Sequence, residues 1–485
     1  MKDKILPFVK QSMVYGIGGL AIPLAGILLV PIYTRVFTPD DYGVINLVQI
    51  TITFLTVLLV LGLDNASGRY YLDSKSDSDR KLTASTTIIF LAIVMLVGCL
   101  VFIGFSGQIS QILFKMAADG QYLVIAAASL PMSICAILCL NLLRFNLRPV
   151  SYTVLSVASI LLTVLITILL VVVLKIGIKG VFIATLISAS FFFIINLAVT
   201  RNYFSFAFSK KRLKELLLYG LPLVPYGIAI YLMQNCDRYF LAQFATLEDV
   251  GIYNLGGQIA SISSLFFIST GLAWSPFIYL TYKEDNIGAV YTRLLNYFVA
   301  AAALIVVGLS IFSHEILMVF ATRNYYSAYT VIPLLTMSLT FFYLGLRMCF
   351  GISIAKKTLH FTWISIVSFA VNVGLNFLLV PLYGMIGAAT ATLSSSVVWC
   401  ILLVHISQRY YVLKYSLGSF LGILAVSLAI ICVAYFLLID VSWKNILIKI
   451  ILLGVFLVFV YLFKLVGNDE LKYIYSLLSK LVKKQ

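Results

Sequence analysis

The chain has 485 residues, of which 62% are hydrophobic and 11% charged, and it carries a formal net charge of +16. A soluble domain has about 25% charged residues, and no soluble core of this size could hide so much apolar surface. An ordinary soluble enzyme is therefore excluded, and lipid becomes the natural solvent for most of the chain.

In lipid the backbone must satisfy its own hydrogen bonds, which leaves helices or a closed barrel. The apolar runs are long and continuous and do not alternate with period 2, so helices are expected. Stretches of about 20 apolar residues can span a bilayer. In chain order they lie near 12–34, 44–68, 83–106, 121–143, 152–174, 180–200, 216–236, 251–281, 291–313, 327–346, 361–380, 385–407, 417–438 and 445–463. The first is too long for a signal-peptide core and follows the charged segment 1–10, so it is expected to stay as span 1. The connections are short and polar, with no room for a soluble catalytic domain. After the last span, Leu471, Ile474, Tyr475, Leu478, Leu481 and Val482 recur at helical spacing among lysines, as in an amphipathic helix on an anionic leaflet.

The positive charge is unevenly spread. With the N-terminus inside, Arg35, Lys115, Lys175, Lys179, Arg238, Arg323, Lys444 and Lys449 fall outside, and the other 26 of 34 Lys and Arg fall inside. That bias follows the positive-inside rule, and an even span count returns the C-terminus to the cytoplasm. The charge thus sets topology and attracts anionic lipid, and no nucleic-acid partner is implied. The seven cysteines sit in or beside spans without acids or histidines at ligand spacing, so they read as small apolar fillers. No metal and no cofactor are expected. The three histidines are scattered, and no phosphate-binding Gly-rich loop is present, so energy must come from a gradient, with H+ or Na+ left open, or from the substrate's own concentration difference.

The chain repeats itself. Gly177-Ile178-Lys179-Gly180 leads into Ala184-Thr185-Leu186, and Gly384-Met385-Ile386-Gly387 leads into Ala391-Thr392-Leu393, at an offset of 207. Tyr42-Gly43-Val44-Ile45-Asn46-Leu47 resembles Val250-Gly251-Ile252-Tyr253-Asn254-Leu255 at an offset of 208, and an acidic pair precedes each glycine. Duplication of a six-span unit follows. The expected fold is an all-α integral membrane protein of about fourteen transmembrane helices, in two pseudo-symmetric six-helix lobes plus two C-terminal helices. The units are 1–204, a cytoplasmic linker 205–215, 216–410, spans 13–14 in 411–467, and the amphipathic tail 468–485. Copies in the same orientation place a substrate path between them. Asn46 and Gln49 with Thr53, and Asn254 and Gln258 with Ser261, form polar faces at matching places. They are candidates for the cavity wall or for helix–helix bonding.

Several segments are similar to one family. Arg35-Val36-Phe37-Thr38-Pro39-Asp40-Asp41-Tyr42-Gly43 resembles the end of the first helix in polysaccharide transporters of the multidrug/oligosaccharidyl-lipid/polysaccharide exporter superfamily. Asp237-Arg238 followed by Val250-Gly251-Ile252-Tyr253-Asn254 resembles its helix 7–8 junction. Gly351 to Thr358 resembles its helix 10–11 loop, and Asn372 and Asn376 with Pro381 to Ala389 its helix 11–12 hairpin. The resemblance implies an O-antigen or capsule repeat-unit flippase working by alternating access in a bacterial inner membrane. Its partners would be an undecaprenyl-diphosphate-linked glycan and membrane lipids, with a polysaccharide polymerase and a chain-length regulator beside it. Family members often carry cationic residues in the central cavity, whereas spans 1 and 8 here lack a mid-span Arg or Lys.

A diphosphate crossing a low-dielectric passage needs compensating charge, and Arg supplies a multi-donor fork. Arg35 and Arg238 are the outward candidates, and Arg69, Arg144 and Arg347 the inward ones. Asn46, Gln49, Asn254 and Gln258 complete the expected substrate-binding set, with Asp64 and Asp237 as structural or gating acids. A drug/cation antiporter, a peptidoglycan-precursor flippase and a membrane-embedded polymerase stay open as alternatives.

Overall fold

The computed structural model describes residues 24, 26–114, 120–281, 287–413, 415, 417–437, 442–463 and 465. Most of span 1, Lys115 and the amphipathic tail 468–485 lie outside the described residues. Among those described there is no strand.

The chain opens with α1 (Gly26–Val36). It continues through α2 (Pro39–Leu59), α3 (Leu63–Asp73), α4 (Asp77–Gly104), α5 (Ser106–Phe114), α6 (Gly120–Ala128) and α7 (Leu130–Phe145). Helices α8 (Pro149–Ile168), α9 (Ile178–Thr200), α10 (Lys210–Gly220), α11 (Val224–Asn235), α12 (Asp237–Phe244), α13 (Leu247–Ala260) and α14 (Ile262–Thr281) follow. The rest is α15 (Ile287–Ile311), α16 (Ser313–Phe320), α17 (Ile332–Met348), α18 (Phe350–Ile354), α19 (Leu359–Tyr410), α20 (Leu417–Leu437) and α21 (Trp443–Leu462). Ten helices among the described residues are long and apolar enough to cross a membrane, or eleven if a pair bent by 49° at Thr330–Ile332 counts as one. The difference from fourteen runs has visible causes. Span 1 is only partly described, span 8 breaks at Ser261, and α19 joins spans 11 and 12 across Gly384.

Apolar side chains point outward as freely as inward. On α4, Ile93, Leu96, Val97, Leu100 and Val101 are exposed, and on α8 Val154, Leu161 and Leu165. A water-facing surface would not tolerate such patches; a lipid-facing one requires them. By contrast α2, the α6–α7 pair and α15 are about half buried and form the interior.

Two pairs of sites recur at the repeat offset. Thr38 caps α2 and Thr246 caps α13, each in a reciprocal box with Asp41 or Asp249, which satisfies two orphan backbone donors. Gly177 and Gly384 both take positive φ, 73° with ψ −150° and 52° with ψ −128°, a conformation open to glycine. Each turns a tight hairpin.

A close helix crossing joins the repeat-related α2 and α13. A Cβ on Gly43 would stand 2.1 Å from the Leu247 carbonyl oxygen, and one on Gly251 1.9 Å from that of Pro39. A glycine on each helix allows this backbone approach. The same end is sealed by the Arg323–Thr330 turn: Tyr325 donates to the Phe37 carbonyl at 3.0 Å and Thr322 to the Thr34 carbonyl at 3.0 Å. Around it lies the largest apolar cluster, including Tyr33, Phe37, Tyr42, Ile45, Leu47, Val250, Tyr253 and Val331. At the opposite end α3 and α10 pack, with Gly62 (φ 68°) against Gly220 and Tyr70 edge-on to Tyr219.

Candidate functional site

One turn beyond the glycine crossing, Asn46 donates to Asn254 at 2.8 Å, and both are buried. Gly43 with Asn46 and Gly251 with Asn254 are each three residues apart, hence on one helix face. The faces read from the sequence therefore meet each other first, and line space only farther along. Gln49 and Thr53 lie exposed on the next turns of α2. On α13 and just beyond it, Gln258 and Ser261 line a cavity of about 230 Å³ together with Asp237, Arg238, Asn254, Ser338, Thr392 and Ser396.

The centre of that cavity wall is the α11–α12 junction. Asp237 is 1% exposed, and its carboxylate is fully engaged. Oδ1 accepts from the Arg238 backbone N and Nη1, each at 2.9 Å, and Oδ2 accepts from Tyr253 and, at 3.1 Å, from Thr392. Arg238 also donates to the Gln234 carbonyl at 3.1 Å and lies over the Tyr253 ring at 5.3 Å. A buried charge is tolerated when paired and hydrogen-bonded, and this pair meets both conditions. Arg238 Nη2 sits beside Gly257, where a Cβ would come within 3.2 Å. The missing side chain leaves that edge of the guanidinium open toward the cavity. One edge of Arg238 thus neutralises Asp237, and the other can donate to an oxyanion.

Behind this pair runs a polar seam built on Asn372 and Asn376 of the hairpin motif. Cys236 donates to Asn372 Oδ1 at 2.9 Å, Asn376 Nδ2 donates to the same oxygen at 2.9 Å, and Asn372 Nδ2 donates to Ser395 at 3.1 Å. Ser338 and Ser396 are 2.8 Å apart. The seam fastens the α11–α12 junction to both halves of α19. Among the described residues no three His, Cys, Asp or Glu converge, and Arg238 cancels the Asp237 charge, so the seam has no free carboxylate to offer a cation.

The other charged candidates lie elsewhere. Arg35 is exposed and bonds the carbonyl of Pro31 on its own helix at 3.2 Å. Arg144 is exposed beside Phe145, and exposed Asp64 accepts from Asn65 at 3.2 Å. Arg69 lies 3.6 Å from Asp73 and over Tyr219, whose hydroxyl raises the Arg69 pKa above the ordinary value. Arg347 is buried in an aromatic box. It donates to the Phe267 carbonyl at 2.6 Å and lies 5.8 Å from Trp274 and 5.5 Å from Phe298. The structure thus brings Asn46, Asn254, Gln258, Asp237 and Arg238 together and leaves Arg35, Arg69, Arg144, Arg347 and Asp64 apart. The missed partners, Tyr253 and Thr392, stand inside the two repeat motifs, so their place in the motifs was the available signal.

A second cavity, of about 630 Å³, lies between α15, α17, α19 and α20 and is almost wholly apolar. Helix α17 separates the two: Ser338, Leu339 and Phe342 face the polar cavity, while Met337, Thr340, Phe341 and Leu344 face the apolar one.

A family model described as polysaccharide biosynthesis protein matches residues 8–280. A protein of the Lsg locus of Haemophilus influenzae is 21% identical over 279 residues, 57% of this chain and 67% of that one. An uncharacterised membrane protein of the same organism is 23% identical over 286 residues, 58% and 68% of the two chains. Among solved structures, the lipid II flippase MurJ in an inward closed conformation superposes with a TM-score of 0.75 over 93% of this chain and 98% of its own, at 16% identity. A point mutant of the Vibrio cholerae MATE transporter VcmN gives 0.61 over 83% and 96%, also at 16% identity. At that identity the likeness is one of fold.

Proposed function

Because the chain belongs to the family of polysaccharide biosynthesis proteins, we propose that it is a flippase for undecaprenyl-diphosphate-linked oligosaccharide repeat units. It would carry them from the cytoplasmic to the outer leaflet for surface polysaccharide such as O-antigen or capsule. It is a multi-pass membrane protein with the fold of solved flippases and transporters. The reading places it in a bacterial inner membrane with both termini in the cytoplasm, and treats it as a transporter and not an enzyme.

The observation that carries the substrate class is the Arg238 edge beside Gly257, set in a wall of amide and hydroxyl groups. A guanidinium is suited to a diphosphate, and amides and hydroxyls to sugar. A cationic drug is poorly served there, because the buried acid of the site is already neutralised by Arg238. The same reading takes residues 1–204 and 216–410 as two copies of one unit. The paired capping boxes, the paired glycine turns and the Asn46–Asn254 bond, which joins equivalent residues, support it. Alternating access is then the parting of the copies at the glycine crossing.

Deletion of the gene in a strain without a second flippase tests the reading. Lipid-linked repeat units should accumulate on the cytoplasmic leaflet, and surface polysaccharide should disappear. Restoration by the intact gene and only partial restoration by Arg238→Lys are expected. Unchanged surface glycan in the deletion strain would overturn the proposal.

A further inference from the structure

We propose that the Arg323–Thr330 turn is a strap across the mouth on the side assigned to the outside, and that the C-terminal helices α20 and α21 are its anchor. This helix pair then controls how readily that mouth opens. The inference rests on the alternating-access part of the proposed function. It concerns access to the polar cavity and not the cargo, so its readout is separate from glycan export.

The strap is poorly suited to hold itself. It consists of eight residues of 3-10 helix, a form whose hydrogen bonds are badly aligned and whose runs rarely exceed three or four residues. It meets α17 at a bend of 49°. Side chains must therefore fix it from both flanks. On one flank Tyr325 and Thr322 donate to the Phe37 and Thr34 carbonyls, and the Thr34 hydroxyl donates back to the Phe320 carbonyl at 3.2 Å. These bonds join the two copies that part when the cavity opens.

The other flank is held by the helices that follow the two copies. Glu315 of α16 accepts from Lys449 of α21 at 2.6 Å, and Lys449 is 2% exposed. The neighbouring His314 ring stands edge-on to Tyr326 and Tyr329 of the strap, at 5.5 and 5.6 Å. Tyr329 in turn packs on Tyr435 of α20 at 5.6 Å. Helix α21 thus grips the base of the strap, and α20 grips the strap itself. An ion pair inside a span points to a function, because packed apolar residues would join the two helices as well. The repeat supplies a comparison. Helices α5 and α16 begin at Ser106 and Ser313, 207 apart, and exposed Gln108 stands where α16 carries Glu315. The short helix itself does not require the acid, which is found in the copy that α21 meets.

The test is the rate at which a membrane-impermeant maleimide labels Leu335→Cys, in the polar cavity wall, on intact cells. The rate is taken over that of the chain without the added cysteine. Lys449→Glu sets two carboxylates against each other and should raise the rate about fivefold or more. The exchange of Lys449→Glu with Glu315→Lys should return it toward the starting value. Tyr435→Ala spares the ion pair, so it tests the α20 contact even where a charge variant fails to reach the membrane. It should raise the rate about two- to tenfold. Tyr325→Phe with Thr322→Val cuts the strap from the other copy and should raise the rate too. Adding Lys449→Glu to that pair should change little more, since a strap free at one flank no longer transmits the other. Leu138→Ala, in a buried cluster away from the strap, lowers stability and should leave the rate unchanged. Gly251→Ala parts the copies directly and is the positive control. A rise with Gly251→Ala but none with Lys449→Glu or Tyr435→Ala would overturn the strap and leave alternating access standing. No rise with any of the three would overturn both. An equal rise with Leu138→Ala, or a multiplicative gain when strap and anchor variants are combined, would also overturn the proposal.

Discussion

Replacing Gly251 by alanine puts a methyl group where two backbones already touch. The new Cβ would stand 1.9 Å from the Pro39 carbonyl oxygen and 3.0 Å from Gly43 N, where ordinary contact begins near 3.4 Å. The obstacle is backbone, so no rotamer change relieves it, and α2 and α13 must separate by about 1.5 Å. That shift stretches the Asn46–Asn254 bond from 2.8 Å beyond hydrogen-bond range. Overpacking of this kind costs about 1–3 kcal/mol, all of it charged to states in which the crossing is closed. The population with this end parted should rise about 5- to 150-fold. The assay is labelling of Leu335→Cys, in the cavity wall, by a membrane-impermeant maleimide on intact cells. Gly251→Ala should raise the rate by that factor, and Gly43→Ala should act in the same direction. Gly308→Ala, where a Cβ meets nothing within 4 Å, serves as the neutral control. An unchanged or slower rate at normal membrane abundance would refute the view that the glycine crossing holds this end shut.

Arg238→Ala should lower membrane abundance, because it leaves the Asp237 carboxylate buried and unpaired, at a cost of about 3–5 kcal/mol; adding Asp237→Asn should restore most of the abundance but not export, as read by immunoblot and surface-glycan staining. Lys449, 2% exposed, pairs with Glu315 at 2.6 Å and ties α21 to α16. Lys449→Met should lower the detergent-solution Tm, and Lys449→Met with Glu315→Leu should recover nearly all of it, since apolar replacement of both partners is close to neutral.

Composition and run length alone determined that this is a helical membrane protein, because the only solvent that suits 62% hydrophobic residues is lipid, and lipid permits few backbone solutions. The repeat motifs were equally legible. Gly177 and Gly384 need a conformation other residues resist, and Thr38 and Thr246 carry their capping partner three residues on, so local chemistry marks both. Which polar residues meet was not legible. Hydropathy sees that Asn46 and Asn254 are polar, but their contact spans 208 positions and depends on how two helices cross. Arg238 and Arg347 look alike in sequence, each an arginine at a span end. Tertiary packing buried the first with its chain neighbour Asp237, brought Tyr253 and Thr392 onto that acid and left an edge open beside Gly257, and it closed the second inside an aromatic box. Charge type is a property of the residue, whereas what that charge faces is set by neighbours that arrive from distant helices, and only the folded chain decides them.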